Sequence, residues 1–251
     1  MTPTPKLLYI HDDLTDEVVA RHGRDSEAAR AVRALLALVG RDIGRTRILT
    51  LDAQLTALAQ GTHAPFAVAV GIGRAGERVA HQMHARTGWF PRIGRVDVAR
   101  EETHGGDYEL STLGAPPLAA QLQPLETAAT IAVVDDTIFS GLTMRTVLRA
   151  LPPGALARTQ AFCLRAVADS LAEVARLCPI AAGFVAHGRL LEDVSFINAS
   201  GLVRRGAIRR AGRPPLAFYE RPEWMRAWFL DDAAEVTRRC AALAPLIDQA
   251  A

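Results

Sequence analysis

The chain has 251 residues, 49% of them hydrophobic and 22% charged, with 29 Lys+Arg against 27 Asp+Glu. That length buries a sizeable core in one large domain or two small ones, and a net charge of +2 gives no argument for a nucleic-acid or membrane surface. Cys163, Cys178 and Cys240 are far apart and show no metal-ligand spacing, which argues against a zinc site or disulfide framework and for a reducing, cytoplasmic setting. The opening MTPTPKLLYIHDD lacks the pattern of a signal peptide, and no apolar run approaches the ~18–20 residues that span a bilayer.

In chain order, KLLYI (6–10) reads as a strand. DSEAARAVRALLALVG (25–40) reads as a helix with Asp25 or Ser26 as N-cap and Gly40 just past its end. RILTL (47–51) and FAVAV (66–70) are further strands, the latter followed by a glycine loop and a helix over 76–85. GRVDVA (94–99) is a strand, and the polar stretch around 100–125 is a long loop of the kind that is functional or disordered. TIAVVD (130–135) leads to a helix over 142–151; then come a strand (158–167), a helix (169–178) and a strand (181–187). Continuous apolar strands, each followed by a helix, imply an α/β fold with one Rossmann-like parallel sheet covered on both faces.

The stretch IAVVDDTIFSGLTM (131–144) carries the most chemistry. In open parallel sheets ligands sit beyond the carboxyl ends of the strands, and Asp135 and Asp136 occupy such an end. Thr137 to Gly141 then lead into a helix N-terminus, where unpaired N–H groups and the helix dipole favour a phosphate. Ser140 and Thr143 add hydroxyl donors, and Gly141 lets the backbone approach closely. Acceptors for vicinal hydroxyls or a metal's water shell therefore stand beside donors for a phosphate, the two needs of a sugar phosphate. The plainer alternative is a strand that merely ends in two aspartates and a helix that is merely capped.

A second loop, GIGRAG, places Gly71, Gly73 and Gly76 in a G-x-G-x-x-G spacing, with Asp97 twenty-one residues beyond Gly76. Taken alone, that spacing suits a dinucleotide-binding unit. It leaves the stretch from Asp135 to Thr143 unexplained.

VVDDTIFSGLT (133–143) resembles the signature of the type I phosphoribosyltransferases, which bind 5-phosphoribosyl-1-pyrophosphate. The resemblance implies that Asp135 and Asp136 hold the ribose 2′- and 3′-hydroxyls. It also implies that Thr137, Ile138, Phe139, Ser140 and Gly141, with the Thr143 hydroxyl, wrap the 5′-phosphate. GIGRAG is similar to the family's pyrophosphate turn, which puts Gly73, Arg74 and Ala75 at the anion. Arg100 is then the candidate pyrophosphate contact of a mobile loop and His104 a candidate general acid, beside the plainer readings of a surface arginine and a loop histidine. Mg²⁺ is the implied cofactor, held mainly by the substrate, with Asp135 and Asp136 reaching it through water and no direct protein ligand.

The resemblance covers a core over 66–187. It leaves 1–65 as an N-terminal flank and 188–251 as C-terminal hood and helices, and in the family such terminal segments form the hood over the acceptor. Phe184, Phe196, Phe218, Tyr219, Trp224 and Trp228 are candidates either for stacking on a base or for core. The expected activity is transfer of 5-phosphoribosyl to a nitrogenous base or related heterocycle, with a homodimer as an open expectation. RRGAIRRAGR (204–213) is a solvated run, a site for an acidic acceptor, or a nucleic-acid contact. The last of these fits the other reading, a regulator of this fold that binds the sugar pyrophosphate and nucleic acid without turnover.

Overall fold

A computed structural model describes residues 4–61, 63, 65–104, 107–112 and 114–248. The first elements are β1 (Leu7–Asp12), α1 (Thr15–His22), α2 (Glu27–Val39), β2 (Thr46–Thr50) and α3 (Leu51–Ala59). Next come β3 (Val68–Ile72), α4 (Gly73–Thr87), β4 (Ile93–Val96), β5 (Ala99–Glu102), β6 (Tyr108–Ser111) and α5 (Leu118–Leu122). The third group is β7 (Ile131–Ile138), α6 (Leu142–Arg149), β8 (Thr159–Val167), α7 (Ala168–Ala175) and β9 (Ile180–Ala186). The chain closes with β10 (Val194–Asn198), α8 (Ala199–Val203), β11 (Ile208–Arg210), β12 (Arg213–Leu216), α9 (Pro222–Phe229) and α10 (Ala233–Asp248).

These elements divide into two units. One holds the chain through Leu51, the short segment Glu102–Asp107 and everything from Arg189; the other holds Asp52–Glu101 and Tyr108–Gly188. The C-terminal flank thus shares a unit with the N-terminal flank only as far as Leu51; α3, from Asp52 on, groups with the central unit.

The central unit carries a five-stranded sheet of order β4-β3-β7-β8-β9, with every recorded pairing parallel. Covered on both faces, its inner strands are buried without alternation: Ile131 to Asp135 are buried in succession, and β8 is buried at all but one position. α4 turns Gly76, Val79, Ala80 and Met83 inward at helical spacing. The expected α/β class with a Rossmann-like parallel sheet is present in this unit.

The expectation of one sheet is corrected by the terminal unit. Its strands β10-β1-β2 form a separate parallel sheet, with His11 level with Asn198 and Leu49. β1 and β10 lie at opposite ends of the sequence, so their pairing leaves no local signal. A separate core gathers α2 (Ala28, Val32, Leu35, Val39), β1 and α10 (Val236, Cys240, Leu243). Ser26 is the α2 N-cap, accepting from the Ala29 amide at 3.1 Å. The stretch around 100–125 also differs from expectation: it holds β5, β6 and α5. AREE and YELS are too short and polar to show apolar periodicity. At its tip, Glu102 pairs with Arg210 of β11 and with the Arg221 guanidinium.

Candidate functional site

The strand order of the central unit reverses direction at β3: β4 is laid on one side of it and β7 on the other. At such a switch point the connecting helices leave on opposite faces and a crevice opens at the carboxyl edge. β3 and β7 run parallel with Gly71 level with Val134, so the two loops noted in the sequence leave the sheet side by side.

Helix α4 begins at Gly73 with no side-chain cap. Gly73 needs its glycine for a φ of +59°, whereas Gly71 and Gly76 are required by packing. A Cβ on Gly76 would lie 2.3 Å from the Val134 carbonyl oxygen and one on Gly71 2.1 Å from the Glu77 amide nitrogen. The first turn of α4 therefore lies against β7 one residue before Asp135. Helix α6 also lacks a side-chain cap, and its N-cap is Gly141 at φ +73°. Two helix N-termini whose N-cap residues accept no side-chain hydrogen bond thus follow neighbouring strands, although the Leu142 amide of α6 donates to the Ser140 hydroxyl at 3.4 Å.

A cleft is lined by Arg100, Asp135 and the whole run from Thr137 to Met144. Of the candidates named from sequence, Arg100, Asp135, Thr137, Ile138, Phe139, Ser140, Gly141 and Thr143 are brought together here, with Leu142 and Met144 added, whereas Asp136, Gly73, Arg74 and Ala75 are not among the lining residues. The Thr137 hydroxyl oxygen is buried with no hydrogen-bond partner, an orphan donor at the cleft. Gly73, Arg74 and Ala75 lie at the α4 N-terminus on the adjacent strand end. His104 is an exposed turn residue in the segment grouped with the terminal unit and is not among the cleft-lining residues.

β7 runs on to Ile138, so Asp135 and Asp136 lie inside the strand and not at its end as the sequence suggests, and Thr137 and Ile138 are still paired with β8. The acidic pair is asymmetric. Asp135 is 8% exposed, and its Oδ1 accepts from the Asp136 amide at 2.8 Å. Burial first, and then the charge of Asp136, push the Asp135 carboxyl well above the ordinary carboxylate range, with Arg100 pulling the other way. Asp136 pairs with Arg165 of β8 at 3.2 Å. Behind the loop, the Ser170 hydroxyl donates to the Phe139 carbonyl at 2.6 Å. Arg165 and Ser170 were not singled out in the sequence. A lone arginine inside the apolar run TQAFCLRAV was the available signal for the first; nothing local marks the second.

Asp97, the acidic residue expected of a dinucleotide site, is held by Arg95 at 2.8 Å, and its amide donates to Gln121 at 2.7 Å. In the terminal unit the tilted rings of Trp224 and Trp228 lie 5.5 Å apart, with Phe218 5.5 Å from Trp228, so these aromatic candidates pack the core there. Phe196 and Tyr9 are 5.3 Å apart. The arginine run is the β11–β12 hairpin and its approach: Arg204 pairs with Glu17 and Arg205 with Glu220, each at 2.7 Å, while Arg210 donates to the Pro214 carbonyl at 2.6 Å.

No protein-family model matches the sequence, and no curated protein matches it. Solved structures to which it is similar include a hypothetical protein from Neisseria gonorrhoeae with bound ppGpp, at 16% identity over 59% of this chain and 85% of that one, TM-score 0.44. A purine phosphoribosyltransferase from Pyrococcus horikoshii shares 17% identity over 58% and 86%, TM-score 0.37. An orotate phosphoribosyltransferase from Aeropyrum pernix shares 18% over 65% and 73%, TM-score 0.30. Two of the three are phosphoribosyltransferases. The chemistry of the site here comes from its own loops.

Among the described residues no group of three His, Cys, Asp or Glu is placed to hold a metal ion. Also among them, no helix is long and apolar enough to cross a membrane.

Proposed function

We propose that the central unit binds 5-phosphoribosyl-1-pyrophosphate and that the chain transfers its phosphoribosyl group to a nitrogen heterocycle. One observation carries this: two helix N-termini without side-chain caps follow neighbouring parallel strands, and an acidic pair lies within the last four residues of one of them. A ligand suited to that layout has an anion at each end and hydroxyls between.

The segment from Thr137 to Gly141, the end of β7 and the turn after it, with the buried Thr137 hydroxyl, binds the 5′-phosphate. The first turn of α4, around Gly73, Arg74 and Ala75, binds the pyrophosphate. Asp135 and Asp136 accept from the ribose hydroxyls. A hard, hydrated divalent ion suits these two carboxylates as water-mediated partners, and bound Mg²⁺ supplies neutralisation of the leaving pyrophosphate. In the reaction the bond from the ribose C1 to the pyrophosphate oxygen breaks, a bond from C1 to the acceptor nitrogen forms, and that nitrogen loses its proton. Positive charge grows on the ribose ring as negative charge grows on the leaving group. Arg100 and the α4 amides offset the latter.

The transfer is tested by incubating the protein with the sugar pyrophosphate, Mg²⁺ and single purines, pyrimidines or other heterocycles, and following pyrophosphate release. Release that requires one particular acceptor supports transfer. Binding of the sugar pyrophosphate without release in any mixture removes transfer and leaves a binding protein.

A further inference from the structure

Arg165 is the largest fully buried side chain among the described residues, at 0% exposure. It lies within β8, level with Thr137 on one side and Phe184 on the other, in a strand that is otherwise apolar towards its end. A guanidinium is among the costliest groups to bury, and for stability alone a well-packed apolar residue generally serves as well. One of its contacts shows what the charge does here. Arg165 Nη2 donates to Asp136 Oδ2 at 3.2 Å, and the Asp136 side chain keeps 20% of its surface exposed. The carboxylate is therefore held from below by a cation that solvent does not reach, while part of it stays accessible. Asp135 has a different neighbour in β8: it is level with Cys163, an apolar-like thiol that is itself fully buried.

We infer that Arg165 is a positioning residue for ligand recognition, fixing Asp136 within the carboxyl-terminal half of β7 so that its carboxylate accepts from ribose hydroxyls. The inference rests on the sugar-pyrophosphate reading above. It assigns β8 a part in the site although Arg165 itself never touches ligand. A carboxylate held this way loses little freedom when ligand arrives, whereas an untethered one would have to be ordered by the ligand.

The test separates the two halves of the ligand. Ribose 5-phosphate and pyrophosphate are each measured in competition with 5-phosphoribosyl-1-pyrophosphate, with Mg²⁺, on wild type, R165M and R165K. The expected result for R165M is a loss of about tenfold for ribose 5-phosphate, the value of roughly one charge-assisted hydrogen bond, with pyrophosphate unchanged within about twofold. R165K, which restores the cation on a shorter stem, recovers part of that loss. A merely structural arginine would weaken both ligands together or neither, and either pattern overturns the inference. If R165M does not fold, R165K alone decides: a loss confined to ribose 5-phosphate supports the role, and equal losses or none overturn it. Wild type that binds no sugar pyrophosphate removes the underlying reading and this inference with it; wild type that binds, beside variants that bind alike, removes only the inference.

Discussion

A Cβ on Gly76 would sit 2.3 Å from backbone, while one on Gly73 meets nothing closer than 3.8 Å. The two glycines of one motif are thus constrained by different physics. Gly76→Ala must push α4 off β7 and is expected to cost about 3 kcal/mol. Gly73→Ala meets only the left-handed backbone penalty, ~1 kcal/mol. Denaturant midpoints of the two variants check this, and equal costs would contradict it. Asp135 gives a second prediction at this scale. Its folded carboxyl holds a proton more tightly than the unfolded one, because burial and then the Asp136 charge raise it. That contribution to stability is complete below the unfolded value of 3.8 and is lost as pH rises through the folded value. Asp135→Asn is neutral throughout, so its stability relative to wild type should rise as pH climbs above the unfolded value of 3.8. Parallel stability curves for the two proteins would rule this out.

At the scale of elements, β7 with its loop was readable because its signals are local. An apolar run, two carboxylates and a small-residue turn all lie within fourteen consecutive residues (131–144). The support behind that loop was not readable, since Ser170 reaches the Phe139 carbonyl from α7 and Arg165 reaches Asp136 from β8. Such ties depend on strand order, which a single sequence does not display. Ser170 holds the Phe139 carbonyl and so fixes the backbone between β7 and α6. Ser170→Ala should lower stability by about 1 kcal/mol and weaken ribose 5-phosphate more than pyrophosphate. Unfolding midpoints with competition titrations measure both effects; unchanged ribose 5-phosphate affinity would deny the tie a functional part.

For the whole molecule, composition indicated enough apolar surface for one core or two, and among the described residues each unit gathers a buried apolar cluster of its own. The terminal unit's parallel sheet went unseen as a sheet because KLLYI and VSFIN are joined only through long-range pairing. Cysteines are distributed across both cores: Cys240 in the terminal unit, Cys163 and Cys178 in the central one. Burial pushes the Cys240 thiol up to about 12 and raises those of Cys163 and Cys178 as well. A thiol reagent should therefore label none of the three in native protein and all of them in denaturant. Rapid labelling without denaturant would show that one of the cores opens readily.

The most direct test of the central claim is a calorimetric titration of 5-phosphoribosyl-1-pyrophosphate, with Mg²⁺, into wild type and into the Asp135→Asn, Asp136→Asn double variant. The prediction is saturable binding to wild type and a loss of at least ~100-fold in a double variant whose circular dichroism is unchanged. Equal binding by both proteins, or none by wild type even with heterocycles present, would contradict it.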